Sequence, residues 1–284
     1  MSDDTREILV LGGTGKTGRR VVEGLLARGL PVRVGSTGGD PRFDWGDRAT
    51  WAPVMEGTRA VYISYYPDLA VPGAPAAVGE LSRLAVDLGV RRLVLLSGRG
   101  EEQAERSEEV MRAAAAGIEW TVVRCSWFNQ NFSEGAISDL VRAGELFLPV
   151  GDVPEPFVDA DDIADVAVAA LTEEGHAGQV YELTGPGMLT FAEAIAEISH
   201  AAGRPVRLTP ISPGEFEAAL AQEEQPDAIV WLLDYLFREV LDGRNAYLTD
   251  GVQRAIGRPP KDFADYAREA AASGVWAPAP AGSR

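Results

Sequence analysis

Lysine is almost missing from this chain of 284 residues; Lys16 and Lys261 are the only two. That scarcity excludes a common reductase apparatus. In a Tyr-x-x-x-Lys pair the ammonium lowers the phenol's pKa, so that the tyrosine can pass a proton to a substrate oxygen. Four residues ahead of the two lysines stand Gly12 and Gly257, so the pair is absent. Cysteine is scarcer still. Cys125 stands alone, which rules out an internal disulfide and fits a reducing compartment. The two histidines, His176 and His200, have no Cys/His/Asp spacing that suits zinc, and no metal is expected. No window of about 18 unbroken apolar residues occurs, so no membrane span is expected. The opening Met-Ser-Asp-Asp lacks the basic-then-apolar pattern of a secretory signal. Positive charge is also short: 26 Lys and Arg face 43 Asp and Glu, a net charge of −17. With its arginines scattered, such a surface repels phosphate backbones, and nucleic-acid binding is not expected. The balance points to a cytoplasmic globular protein, monomer or homodimer, acting on a small molecule.

What is present is a large apolar fraction, 46%, enough for a sizeable core. Short apolar runs at Ile8–Leu11, Val32–Val34, Ala60–Ile63, Leu93–Leu96 and Trp120–Val123 read as buried strands. Between and after them, residues 17–29, 48–56, 76–88, 102–116 and 128–143 carry helical spacing or composition. Such alternation predicts an α/β fold, a Rossmann-type doubly wound parallel sheet with helices on both faces. Pro41–Trp45 is a candidate extra strand. Past residue 148 the turn-rich Pro-Val-Gly-Asp-Val-Pro-Glu-Pro marks a change. A helix at Asp161–Leu171, a strand at Val180–Leu183 and helices near 190–202, 213–222 and 226–241 follow. The expected organisation is a dinucleotide domain over 1–148, a smaller α/β substrate lobe over 149–276 and a loose tail over 277–284. The run Ile229–Leu241 is apolar nearly all round, as core, a lid or a dimer face would be.

The stretch Ile8-Leu-Val-Leu-Gly-Gly-Thr-Gly-Lys-Thr-Gly-Arg-Arg20 offers two readings. Its Gly-Lys-Thr resembles the phosphate loop of an ATPase, but that loop needs a glycine five residues before Gly15, where Val10 stands inside the strand. Gly12, Gly15 and Gly18 fit the other reading, Gly-x-x-Gly-x-x-Gly between a strand and a helix. The first glycine allows a tight bend, the second lets main chain approach a pyrophosphate, and the third lets helix and strand pack closely. Thr14, Gly15, Lys16 and Thr17 then open the cofactor-binding helix. An NAD site usually carries an acid at the end of the second strand. Here that tip reads Ser36-Thr37-Gly38-Gly39, with no acid before Asp40. Ser36 and Thr37 leave room for a 2′-phosphate, within the expected reach of Lys16 or Arg33, so NADP(H) is favoured over NAD(H).

With these motifs in view, the chain resembles the NmrA-like atypical short-chain dehydrogenase/reductases, and within them the branch of ergot-alkaloid-type iminium reductases. The resemblance rests on Gly12–Arg20, Pro41–Trp45, Leu93–Gly100, Trp120–Phe132, Phe157–Ala164 and Leu183–Gly185, and covers nearly the whole chain. It implies that Asp44 and Trp45 sit beside the adenine, and that Ser64, Tyr65 and Tyr66 line the adenosine and ribose. It implies that Ser97, followed by Gly98 and Arg99, lies near the nicotinamide ribose, with Ser97 the candidate catalytic residue. Arg124, Cys125, Ser126, Trp127 and Phe128 would wrap the nicotinamide end. Cys125 stands where relatives carry proline, and Thr37 where arginine is common.

The helix over 102–116 holds neither tyrosine nor lysine; Arg106 falls near the lysine's place and cannot release a proton. Two explanations stay open. The acceptor needs no protein acid, as an iminium, or a quinone that takes its proton from water, and hydride transfer then needs mainly positioning. Otherwise the chain binds the dinucleotide without turning it over, as a redox sensor, with redox-neutral chemistry a third option. Trp127, Phe128 and Phe132 are candidates either to stack on a planar substrate or to fill the core. Cys125 reads better as a small buried residue than as a nucleophile. Ser97 lacks the Gly-x-Ser-x-Gly frame of a hydrolase, and Asp159, Asp161 and Asp162 suit a helix start.

Overall fold

A computed structural model describes residues 6–222 and 225–277. The strands are β1 (Ile8–Leu11), β2 (Val32–Gly35), β3 (Ala60–Ile63), β4 (Arg92–Gly98), β5 (Glu119–Cys125), β6 (Glu145–Leu148), β7 (Gln179–Leu183) and β8 (Arg207–Pro210). The helices are α1 (Lys16–Ala27), α2 (Trp51–Met55), α3 (Ala74–Asp87), α4 (Glu102–Ala114), α5 (Ala136–Ala143) and α6 (Ala160–Thr172). They continue with α7 (Phe191–Ala201), α8 (Pro213–Gln222), α9 (Asp227–Tyr235), α10 (Gly251–Ile256) and α11 (Phe263–Ala272).

The chain forms two compact units. The first takes the residues up to Cys125, Ala160–Leu183 and Asp250–Arg258; the second takes Ser126–Asp159, Thr184–Thr249 and Pro259 onward. This interleaving differs from the continuous division at residue 148 expected from sequence. The reason is pairing. β7, late in the chain, pairs in parallel with β5, while β6, which ends at residue 148, pairs with β8. Of the tail expected over 277–284, all but Ala277 lies outside the described residues.

The first unit is built on one parallel sheet in the order β2-β1-β3-β4-β5-β7. β1 and β3 are apolar at every position and fully buried, as a parallel sheet covered on both faces demands. Leu9, Leu11, Val61, Ile63, Leu93 and Leu95 join Trp51, Val78, Leu81 and Met111 of α2, α3 and α4 in one core. The alternate residue Tyr62 reaches the opposite layer, where its hydroxyl donates to Thr17 Oγ1 of α1 at 3.0 Å. The buried Asp162 of α6 is held by Arg258 Nη1 at 2.5 Å.

The second unit carries the parallel pair β6–β8 and an aromatic core. Phe132, Phe157, Phe191 and Phe263 meet edge-on or tilted, with centroids 5.2 to 5.8 Å apart, and Trp276 Nε1 donates to the Phe132 carbonyl at 2.7 Å. Thr190 and Glu193 form a capping box at the start of α7.

Three local expectations are corrected. Residues 128–143 are not one helix: a 3-10 turn at Asn129–Phe132 is parted from α5 by Gly135, whose φ of +90° no right-handed helix accepts. The run 226–241 leaves α-geometry after Tyr235 and ends in a π-turn at Leu236–Val240. Within it Leu232, Phe237, Val240 and Leu241 are buried, whereas Trp231 is exposed and stacked on Tyr235. Pro41–Trp45 adds no strand, only an isolated bridge between Asp44 and Asp47. The Asp44 main chain is spoken for locally, its N–H by Thr50 Oγ1 and its carbonyl by Trp51 Nε1.

Candidate dinucleotide site

At the carboxyl end of β1 the chain turns on Gly12, at φ +70°, whose N–H donates to the Gly35 carbonyl at 3.0 Å. The Gly12 carbonyl accepts from the Gly15 N–H at 2.9 Å. A side chain on Gly18 would overlap that carbonyl oxygen, so only glycine lets α1 start this close to the strand. Gly15 is the helix N-cap, in extended conformation and exposed, and no side chain caps the turn. The first turn of α1 contains no acid, which leaves the positive end of the helix dipole uncompensated. Thr14 is exposed beside it, and Lys16 is half-buried. This cradle of main-chain amides suits a diphosphate. Thr17 differs from expectation: its side chain is buried and its hydroxyl is used by Tyr62, so only its main chain can serve a ligand.

The tip of β2 is a tight loop in which the Ser36 carbonyl accepts from the N–H groups of Gly39 and Phe43, at 3.1 and 2.9 Å. Thr37 and Gly38 are exposed. Arg33 does not reach this tip. Its Nε donates to Glu7 Oε2 at 3.0 Å and its Nη1 to the carbonyls of Val54 and Glu56 at 2.9 and 2.8 Å, which corrects the expected contact with a 2′-phosphate. Arg42, not singled out from sequence, follows the tip with its guanidinium half exposed and paired to Asp44 Oδ2 at 2.5 Å. Asp44 Oδ1 accepts from the Gly46 N–H at 2.9 Å. Trp45 packs on Phe43, Trp51 and Tyr65 with centroids 5.1, 5.6 and 4.7 Å away, and its Nε1 donates to the Ser64 carbonyl at 3.2 Å. Ser64 lies against the turn itself, its Cβ 3.2 Å from where a Gly12 Cβ would be. Tyr66, by contrast, is 75% exposed.

The ends of β4 and β5 hold a denser constellation. Ser97 is buried, and its hydroxyl donates to Glu108 Oε1 of α4 at 2.7 Å. Arg124 grips the same carboxylate with both arms, at 2.8 and 2.6 Å, which raises the already high pKa of its guanidinium. The expectation that Ser97 is catalytic is therefore corrected: its proton is committed inward, to a buried ion pair. The Cys125 thiol is 4% exposed, and burial pushes its pKa well up, so it is no nucleophile. Arg99 is 2% exposed; its N–H donates to the Cys125 carbonyl and its Nε to Glu182 Oε1, each at 3.0 Å.

Two acids that sequence reading passed over meet here. Asp68, from the loop after β3, hydrogen-bonds the side chain of Glu101, the N-cap of α4. Asp68 Oδ1 also accepts from the Ala70 N–H at 2.8 Å. Burial raises both carboxyl pKa values, and for Glu101 the neighbouring Asp68 adds to the rise. Glu101 directly follows the recognised segment Leu93–Gly100, but nothing local announces its partner.

The second unit gives Trp127 and Phe128 half-buried places. Trp127 leans on Phe191 and Phe237, its N–H donating to Glu155 Oε1 at 3.4 Å, and Phe128 bridges to Val158. Phe132, a candidate for substrate stacking, is 1% exposed within the aromatic core and cannot stack on a substrate. Phe132→Leu should therefore lower unfolding free energy by about 1–2 kcal/mol in urea titration, through lost edge contacts and volume. It should leave substrate KM unchanged, and a changed KM with unchanged stability would contradict the assignment.

Among the described residues, no group of three or more His, Cys, Asp or Glu could hold a metal ion, and no helix is long and apolar enough to cross a membrane.

The NAD(P)H azoreductase of Xenophilus azovorans is 31% identical over 289 residues, covering 94% of this chain and 98% of that protein. Festuclavine synthase II of Penicillium roqueforti is 30% identical over 290 residues, covering 95% and 99%. The chain belongs to the NmrA-like atypical short-chain dehydrogenase/reductases. No family model matches it. The fold of this family member is also that of the Citrobacter sp. triphenylmethane reductase complexed with NADP(H), with a TM-score of 0.73 at 19% identity over 93% of this chain and 99% of that one. This NmrA-like chain carries the glycine turn and no Tyr-x-x-x-Lys pair.

Proposed function

We propose that this chain is an NAD(P)H-dependent reductase that delivers hydride to a small activated acceptor, an iminium, an enone or a quinone, with NADP(H) preferred. The observation that carries the reading is the uncapped, acid-free start of α1 against the Gly12–Gly18 turn. The residues that would hold the cofactor are the main chain of Gly12–Gly18 at the diphosphate, Ser36 and Thr37 at the ribose phosphate, and Asp44, Trp45, Ser64 and Tyr65 along the adenosine. The ends of β4 and β5, with Gly98, Arg99 and Cys125, are left for the nicotinamide half, since dinucleotides lie across the carboxyl ends of such sheets. Relatives named as azoreductase and festuclavine synthase, both at 30% identity or more, favour turnover over a purely sensory role.

The preference for NADP(H) rests on the missing acid at the β2 tip and on Arg42 beside it. Fluorescence titration should give a Kd for NADPH at least tenfold below that for NADH, and Arg42→Ala should narrow the gap without weakening NADH. Steady NADPH oxidation with at least one of the three acceptor classes is the expected activity. Tight NADPH binding with turnover of none of them, and sharp discrimination between NADP+ and NADPH, would return the sensor reading.

A further inference from the structure

We propose that Glu101 is the acid of this site, a protonated carboxyl group that gives its proton to the heteroatom of the acceptor as hydride reaches the acceptor's electrophilic carbon. The inference rests on the reductase reading and replaces the idea that the proton must come from water.

Four observations carry it. The Glu101 carboxyl group lies over Gly98, where a side chain would overlap it, on the last rung of the β4–β5 ladder, Gly98 opposite Cys125. That is the carboxyl end of the sheet, beyond the strands where a nicotinamide half would reach. Next, Glu101 is 7% exposed, and its Oε2 is buried with no hydrogen-bond partner. A purely structural glutamate would satisfy both oxygens; this one keeps an oxygen unspent. Third, the carboxyl group of the half-buried Asp68 stands beside it, and burial together with that like charge raises the Glu101 pKa well above the usual glutamate value. Finally, α4 holds neither the tyrosine nor the lysine of the ordinary proton-donating pair.

Around Glu101 stand Asp68 from the loop after β3, Arg99 from the end of β4 and the Cys125 thiol of β5. Asp68 is the positioning residue: its like charge adds to burial in raising the Glu101 pKa and so favours the protonated form. A reduced nicotinamide, when bound, supplies two electrons as hydride and is left oxidised. In the same event the carboxyl O–H bond of Glu101 breaks and an O–H or N–H bond forms on the acceptor, which is thereby reduced by two electrons. The carboxylate left behind beside Asp68 regains its proton from water.

The test compares two acceptors with the complete chain and saturating NADPH: a quinone, whose reduction consumes a proton, and a cyclic iminium, whose reduction to an amine consumes none. Glu101→Gln should lower kcat on the quinone at least 30-fold and on the iminium less than threefold. Asp68→Asn should move the alkaline limb of the quinone kcat–pH profile at least one unit lower, because the charge that holds the proton is gone. A readout without turnover is the infrared carbonyl stretch of a protonated carboxyl at neutral pH, present in the cofactor-free wild type and lost in Glu101→Gln. Stability supplies another. Between the ordinary glutamate pKa and the raised one, the folded chain keeps a proton that the unfolded chain has released, so stability falls as pH rises. Glu101→Gln should remove that part of the fall. Equal losses on the two acceptors, or no protonated carboxyl at neutral pH, would overturn the role of Glu101 while leaving the reductase reading standing. A wild type that reduces no acceptor would overturn both. Should the glutamine variant not fold, the wild-type band and the Asp68→Asn profile decide.

Discussion

Gly15→Asp should yield a protein that no longer binds its dinucleotide and melts no lower than the parent. The two halves of this result come from one position. Gly15 sits at the N-cap of α1 with φ −81° and ψ −178°, a conformation open to any residue, and a Cβ there meets only the Gly12 carbonyl oxygen at 3.2 Å. Aspartate is among the best N-caps, and a negative charge in the first turn complements the helix dipole. With no cap and no acid present now, the gain is about 0.5–1 kcal/mol. The same carboxylate would stand where main-chain amides are offered to a diphosphate. It would occupy those donors and repel the ligand's charge, and a loss of 100-fold in affinity, about 2.7 kcal/mol, is the minimum expected. Fluorescence titration with NADPH and a thermal melt of the free protein read the two effects separately. A Kd within threefold of wild type would mean that the cofactor lies elsewhere, and the proposed function would fall with it.

An alternative substitution in the turn could not separate these effects. A methyl group on Gly18 would press into the Gly12 carbonyl, so any loss of binding there would be confounded with damage to the strand–helix junction. Gly15 is informative because its φ and ψ suit any residue, and the one close approach a Cβ would make, 3.2 Å to the Gly12 carbonyl oxygen, is far milder than the overlap at Gly18.

β1 and β3 could be read from the sequence because a parallel sheet buried on both faces writes its strands as unbroken apolar runs, Ile8–Leu11 and Ala60–Ile63. The glycine turn was legible for a related reason: its chemistry is main-chain chemistry, and glycine spacing is its visible trace. β6 and β8 were not, since Glu-Leu-Phe-Leu buries only alternate residues and Arg-Leu-Thr-Pro is largely exposed. α10 hid behind Gly251, which reads as a turn but is glycine because the Glu182 backbone leaves no room for a side chain. α11 carried a readable signal, Asp262 capping the Ala264 N–H at 2.8 Å ahead of a helix-forming run, and was passed over. The polar pairings were beyond reach. Only the fold sets Glu108 against the Ser97 hydroxyl, and neither Asp68 nor Glu101 carries a local pattern that names the other. Tertiary partners decide what a hydroxyl or a carboxyl can do, and a sequence does not print them.

The Ser97–Glu108–Arg124 constellation leads to the other large effect. Glu108 is wholly buried, and Arg124 supplies two of the bonds that compensate its charge; the remaining contacts are the Ser97 hydroxyl at 2.7 Å and Arg112 Nη2 at 3.8 Å. Arg124→Met removes the main counter-charge and leaves a carboxylate desolvated, which costs about 3–5 kcal/mol. Urea unfolding should show it as a lower midpoint at unchanged slope. The pair as a whole is worth far less than either half, because the attraction mostly offsets the desolvation of both charges. Glu108→Met combined with Arg124→Met should therefore recover more than half of the loss, with the Ser97 hydroxyl left to rotate toward another acceptor. A single variant within 1 kcal/mol of wild type, or a double variant no better than the single, would show that Glu108 is compensated by something other than Arg124. The same cycle bears on catalysis. If Ser97 serves only to satisfy Glu108, then Ser97→Ala should lower stability by about 1 kcal/mol while kcat on an iminium acceptor stays within twofold. A catalytic serine would give the reverse: an intact fold and a collapsed kcat.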